Sequence, residues 1–143
     1  MLDRAEINDN RIVMGCFDQA QVEDLMHDLI DGVYGDGIFN ENNCICIRQR
    51  AIDLNSPTVL LKNLIIEGKL VWNGNPLLKW CLMNCFEFQS TTNGMIMLGK
   101  ENKDSTRRID GVAAIINALS QIDKLKNLQD NLVNKILGKG WGM

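Results

Sequence analysis

The sequence predicts an α/β fold whose early strands run parallel, and three observations carry that expectation. Short apolar, β-leaning runs alternate with longer runs in which apolar residues recur three and four positions apart. Two of the helical runs open with a polar cap residue followed by proline, Ser56-Pro57 and Asn75-Pro76. Between two apolar arms further on stands Asn93-Gly94, a dipeptide favoured in hairpin turns.

In chain order, "RIVMGCF" reads as a strand that ends at Asp18. A helix follows at once, because Val22, Leu25, Met26, Leu29 and Ile30 share one face until Gly32 and "YGDG" end the pattern. "NCICIRQ" is a second short strand. "SPTVLLKNLIIEGKL" predicts a helix with Ser56 as N-cap, Pro57 at its first position and Gly68 as its stop. "KLVW" then reads as a third short strand. "NPLLKWCLMNCF" repeats the helix-start grammar, with Asn75 capping and Pro76 inside. "EFQSTTNGMIML" predicts a hairpin. A helix opening at Asp110 follows, and Leu125, Leu128, Leu132, Val133 and Ile136 mark an amphipathic C-terminal helix before the glycine-rich "GKGWGM".

With 143 residues, 45% of them hydrophobic and 23% charged, the composition is that of one ordinary domain with a real core. A net charge of −3 and a pI of about 5.1 provide no global basic field, so any contact with a polyanion has to be local. The five cysteines form an odd set without a secretory signal, and Cys44 and Cys46 alternate within a strand, which predicts reduced, packed thiols. Cys81 and Cys85 lie one helical turn apart, yet His27 is the single histidine, so no zinc-type ligand set forms. No apolar run approaches membrane-spanning length.

Two carboxylates stand out against this background. In the Asp110 helix, Ile109, Val112, Ala113, Ile116 and Leu119 fall on one face, and Gly111, Ile115, Ala118 and Ile122 on the next. Only Asp110, Asn117 and Gln121 remain as a polar stripe, so the helix is expected to be buried with its carboxylate looking out near the start. Asp110 is either an acid favoured by the helix dipole in the first turn, or a metal ligand or general base held on a buried element. Asp18 occupies the C-terminal end of a strand, where functional carboxylates of parallel sheets gather, but it also suits an N-cap for the following helix.

"EGKLVWNGNPLLKWCLMN" (residues 67–84) and "KENKDSTRRIDGVAAIINAL" (residues 100–119) carry a resemblance in both order and spacing. They resemble the nuclease domain of the large terminase subunit of tailed bacteriophages, with its Gly-Asn-Pro element, a following tryptophan and asparagine, a lysine-containing hairpin, and Arg-Ile-Asp-Gly-Val opening a helix. Upstream, "GCFDQAQVEDLMHDL" is similar to that family's strand ending in an aromatic-Asp pair, with Gln19 where a proline is common. The resemblance spans residues 11 to 120.

The resemblance implies a ribonuclease-H-like fold in which carboxylates bind two Mg²⁺ or Mn²⁺ ions and hydrolyse DNA. Two such ions roughly 4 Å apart repel each other and need several negative oxygens to hold them. By the same resemblance Asp18 and Asp110 match metal-ligand, catalytic positions, Gly111 allows close packing of the helix start, and double-stranded DNA is the substrate. Lys100, Lys103, Arg107 and Arg108 lie where a DNA phosphate would approach, although Glu101 and Asp104 offset their field and a solvated basic turn is the simpler description.

One departure shapes the expectation. The family's first metal-binding Asp comes from an earlier strand, whereas "MLDRAEINDN" offers only Asp3, Glu6 and Asp9, none at the end of an apolar run. No G-x-x-x-x-G-K-[ST] phosphate loop is present either. The expected architecture is therefore a partial, N-terminally truncated ribonuclease-H-like fold lacking the first strands, with residues 1–122 as the later part of the nuclease domain and 123–143 as C-terminal helix and tail. Two functions follow from it: a metal-dependent endonuclease component that needs a complementing chain, or a non-catalytic module binding a terminase partner, DNA or itself, in the cytoplasm of a bacterial host. The exposed edge of "RIVMGCF" is expected to be covered by a second copy pairing through residues 11–17 or by a complementary terminase fragment.

Overall fold

The computed structural model describes residues 14–33, 39–72, 74–102, 104 and 106–127. Its elements are β1 (Gly15–Asp18), a 3-10 turn (Gln19–Gln21), α1 (Glu23–Ile30), β2 (Cys44–Ile47), α2 (Ala51–Ile66), α3 (Pro76–Met83), β3 (Phe86–Gln89), β4 (Ile96–Gly99) and α4 (Asp110–Leu119). Residues 122–127 are helical again. The apolar positions predicted for the C-terminal helix beyond Leu125 lie outside the described residues, as do Asp3, Glu6, Asp9, Lys103 and residues 11–13.

β1 and β2 pair in parallel, with Gly15 opposite Cys44 and Asp18 opposite Ile47. This is the pairing that a strand-helix-strand sequence dictates, since α1 returns the chain to the same end. Among the described residues no other strand pairs with β1.

α2 begins five residues before the expected Ser56 cap, after Arg50, so Ser56 caps nothing and Pro57 lies inside the helix. Arg50 forms an ion pair with Asp53 in the first turn, where a carboxylate also complements the helix dipole. An interior proline forfeits one backbone hydrogen bond and costs ~3 kcal/mol in a free helix. Here the helix persists because Leu54, Pro57, Thr58 and Leu61 form its buried face. Its end follows the expectation: Gly68 takes φ +65° and donates to the Ile65 carbonyl at 3.1 Å, while Lys69 N–H reaches the Leu64 carbonyl at 2.9 Å.

That C-terminal motif also explains why "KLVW" is no strand. The Leu70 N–H folds back to the Leu64 carbonyl at 3.1 Å, and Val71, 92% exposed, has no neighbouring strand to pair with. α3 starts as predicted, with Asn75 Oδ1 accepting from the Leu77 N–H at 2.8 Å and the Leu78 N–H at 3.4 Å. β3 and β4 form the expected antiparallel hairpin, Phe86 opposite Gly99 and Gln89 opposite Ile96. Its loop is four residues long, 91–94, closed by Ser90 N–H to the Met95 carbonyl at 2.8 Å, with Gly94 supplying the positive φ of +70°.

The core joins Ile47 of β2, Leu54 and Leu61 of α2, Cys81 of α3, and Val112 and Ile116 of α4. α4 packs against α2, α3 and β1. Gln49, just past the end of β2, donates from Nε2 to Asn117 Oδ1 at 3.1 Å, while Lys124 Nζ reaches the carbonyl of Asn42, before the start of β2, at 3.4 Å. The stretch from Asn117 to Lys124 therefore runs back along β2, against its direction.

Candidate active site

Asp110 is the first residue of α4. Ile109 supplies no side-chain cap, so Asp110 is the one group in the first turn that complements the helix dipole. It is exposed, and so are Ala114 and Ala118 on the outer side of α4, while Val112, Ile116 and Asn117 are buried. The nearly apolar helix is thus half covered, not enclosed. Gly111 faces α3 closely enough that a Cβ there would stand 3.2 Å from Leu78 Cδ1 and 3.6 Å from Cys81 Sγ. The missing side chain lets the Asp110 turn settle against α3.

The approach leaves a cleft of about 360 Å³ that Asp110 shares with Arg108, Asn75, Leu77 and Trp80. Its lining is largely apolar, with Asp110 and Arg108 among the residues around it. Trp80 is 42% exposed and presents part of its ring system to solvent. Behind the cleft, Asn84 is 6% exposed and donates from Nδ2 to the Arg108 carbonyl at 3.1 Å. Sequence reasoning noted the tryptophan and asparagine only as parts of a motif. The detectable sign was an asparagine closing an apolar helix, a place where its amide can reach backbone groups of a neighbouring segment.

Asp18 stands where expected, at the C-terminal end of β1 opposite Ile47. Its Oδ1 accepts the Ala20 N–H at 3.0 Å and so caps the 3-10 turn. Asp18 does not line the cleft of Asp110. Among the described residues, no three His, Cys, Asp or Glu side chains converge in a way that could hold a metal ion. Asp18 and Asp110 therefore do not by themselves build a closed divalent-cation site.

Of the expected DNA-contacting cations, Arg108 lines the cleft. Arg107 is exposed beside it, and Lys100 is half-buried just past β4. All five cysteines are free thiols. Burial, reinforced by the neighbouring Cys81, pushes the Cys85 thiol up to about 11, and burial likewise raises Cys16 and Cys44. A thiol so resistant to ionisation is a packing group rather than a nucleophile. No helix among the described residues is long and apolar enough to cross a membrane.

The family model for the endonuclease domain of the terminase large subunit matches residues 21–125. No curated protein and no solved structure gives a significant match. The matched span contains the cleft, with Asp110, Arg108 and Trp80, as well as Asn84, and begins just after Asp18. A parallel strand pair, flanking helices and an antiparallel hairpin are compatible with a partial ribonuclease-H-like nuclease fold. The chain belongs to the family of terminase large-subunit endonuclease domains.

Proposed function

We propose that this chain is the DNA-cutting component of a phage packaging terminase and that Asp110 is its principal catalytic carboxylate. The observation that carries the reading is the position of Asp110: solvent-accessible at the start of α4, in a 360 Å³ cleft beside Arg108, within the matched domain. A phosphodiester entering this cleft meets a guanidinium whose planar fork suits phosphate oxygens. The apolar wall containing Trp80 can contact a deoxyribose or base without competing for the phosphate. Arg107 and Lys100 would extend the cationic contact along the DNA backbone.

Mg²⁺ or Mn²⁺ is the proposed cofactor, with Asp110 and Asp18 contributing oxygens. Such an ion supplies Lewis-acid polarisation and a more acidic bound water. Because the described residues gather fewer than three ligands in one place, further acidic groups have to come from elsewhere, and a complementing terminase chain is the proposed source. Double-stranded DNA and other terminase subunits are the partners this reading requires.

The same shortage of ligands favours a second reading, a non-catalytic module derived from the nuclease fold that binds a terminase partner, DNA or a second copy through the edge of β1 that no described strand pairs with. Plasmid cleavage in Mn²⁺ separates the two. The first reading expects weak nicking by the chain alone, stimulation by a large-subunit fragment bearing another acidic strand, and loss of both in Asp110→Asn. Cleavage that Asp110→Asn leaves unchanged would remove Asp110 from the chemistry. Absence of cleavage with every such fragment, together with tight partner binding, would favour the module.

A further inference from the structure

We infer that Asn84 is a positioning residue that sets the orientation of Asp110 and Arg108, and this rests on the catalytic reading of the Asp110 cleft. Arg108 lies outside the hydrogen bonding of α4, whose first turn is closed by the Ile109 carbonyl accepting from Val112 at 2.9 Å and Ala113 at 3.0 Å. The preceding Arg108 carbonyl is thus not used by the helix. Asn84 Nδ2 donates to it at 3.1 Å, across 24 residues of chain. A peptide that would otherwise turn freely is thereby tied down immediately before the reacting carboxylate.

The donor is itself rigid. Asn84 closes α3, its backbone N–H donating to the Trp80 and Cys81 carbonyls, both at 3.2 Å, and it is 6% exposed. The last turn of α3 thus supplies both the Trp80 wall of the cleft and the clamp on the Arg108 carbonyl. Rotation of the Arg108–Ile109 peptide would move the guanidinium and the carboxylate relative to that wall. Farther along α4, Asn117 is held by Gln49 Nε2, which also donates to the Ile47 carbonyl at 3.2 Å. Two turns, about 10 Å, separate Asp110 from that second tether, so it fixes the body of the helix, while Asn84 acts at the first turn, together with the packing of Gly111 and Val112 there.

Asn84→Asp keeps the shape but turns the donor into an oxygen facing a carbonyl. Asn117→Asp is the matched control, since it also buries a carboxyl group but retains the oxygen that accepts from Gln49. Hydrogen exchange on the full chain is expected to show the Val112 and Ala113 amides, which close the first turn of α4 on the Ile109 carbonyl, opening about tenfold faster in Asn84→Asp, the scale of one lost hydrogen bond, with residues 51–66 unchanged. Asn117→Asp should leave these two amides as in the wild type. With a complementing chain present, Asn84→Asp should lower the cleavage rate at saturating DNA about tenfold or more while half-saturation moves less than about twofold. Uniformly faster exchange with a lower unfolding midpoint would make Asn84 merely a core residue and overturn the inference, as would unchanged exchange at Val112 and Ala113.

Should Asn84→Asp not fold, the wild type still decides: a protected Asn84 side-chain amide proton near the Ile109 Hα in nuclear magnetic resonance spectra is required, since the Arg108 carbonyl lies on that side of the trans peptide, and a freely exchanging one overturns the tether. Failure of the catalytic reading shows separately, as cleavage insensitive to Asp110→Asn, and would leave the exchange result intact.

Discussion

Thr58 shows how a single residue can be a cost to the fold that surrounds it. Its side chain is 1% exposed in α2, and Oγ1 has no hydrogen-bond partner among the described residues. A buried hydroxyl without a partner costs about 1–3 kcal/mol. Thr58→Val, which replaces the hydroxyl with a methyl of similar size, is therefore expected to raise stability by about 1 kcal/mol, measured by denaturant titration. Trp80 divides its surface, 42% of it exposed and the rest packed. If it forms a wall against DNA, Trp80→Ala should weaken binding of a short oligonucleotide by about 1–3 kcal/mol in fluorescence anisotropy, the range for one aromatic-base stack, measured well below the melting temperature, which the loss of its packed part lowers. Both residues were visible in the sequence, but neither consequence was. Burial and exposure belong to the packed structure, and both residues lie in helices whose periodicity predicts only that some face is covered.

Among the elements, those whose ends are set by local chemistry were legible and those set by tertiary packing were not. Asn75-Pro76 and Gly68 mark their helix ends because capping geometry depends on a few adjacent residues. Ser56-Pro57 has the same local pattern, yet the Arg50–Asp53 pair and the burial of Leu54, Pro57 and Leu61 carry α2 through it. "KLVW" has strand composition, but a strand needs a partner, and the chain there returns to α2. The Gly68 stop can be tested alone. No atom lies within 4 Å of a Cβ built on it, so Gly68→Ala should cost only the strain of a positive φ, about 1 kcal/mol. Thermal unfolding checks this value, and a loss much larger than that would point to a contact the geometry does not contain.

At the scale of the whole molecule, the buried thiols couple stability to alkaline pH. With the Cys85 thiol pushed up to about 11 in the folded state and ordinary thiols ionising near 8.5, the unfolded chain loses its proton first as pH rises. The contribution is complete below about pH 8.5 and is lost as pH climbs toward 11; Cys16 and Cys44, also raised, act in the same direction. Chemical denaturation at pH 8 and pH 10.5 should show a lower midpoint at the higher pH, with a smaller difference in Cys85→Ala.

The fold class and the parallel pair were legible because strand-helix alternation fixes direction. What pattern alone could not say is whether Asp18 and Asp110 share a site, since that depends on distances between elements far apart in sequence. The central proposal is that both contribute oxygens to one Mg²⁺ or Mn²⁺ ion. Calorimetric titration with Mn²⁺ tests it most directly: the wild-type chain is expected to bind weakly, because an incomplete set of carboxylates offsets the ion's charge only in part, and Asp18→Asn combined with Asp110→Asn should abolish the binding. Equal Mn²⁺ binding by the wild type and the double variant would contradict the account.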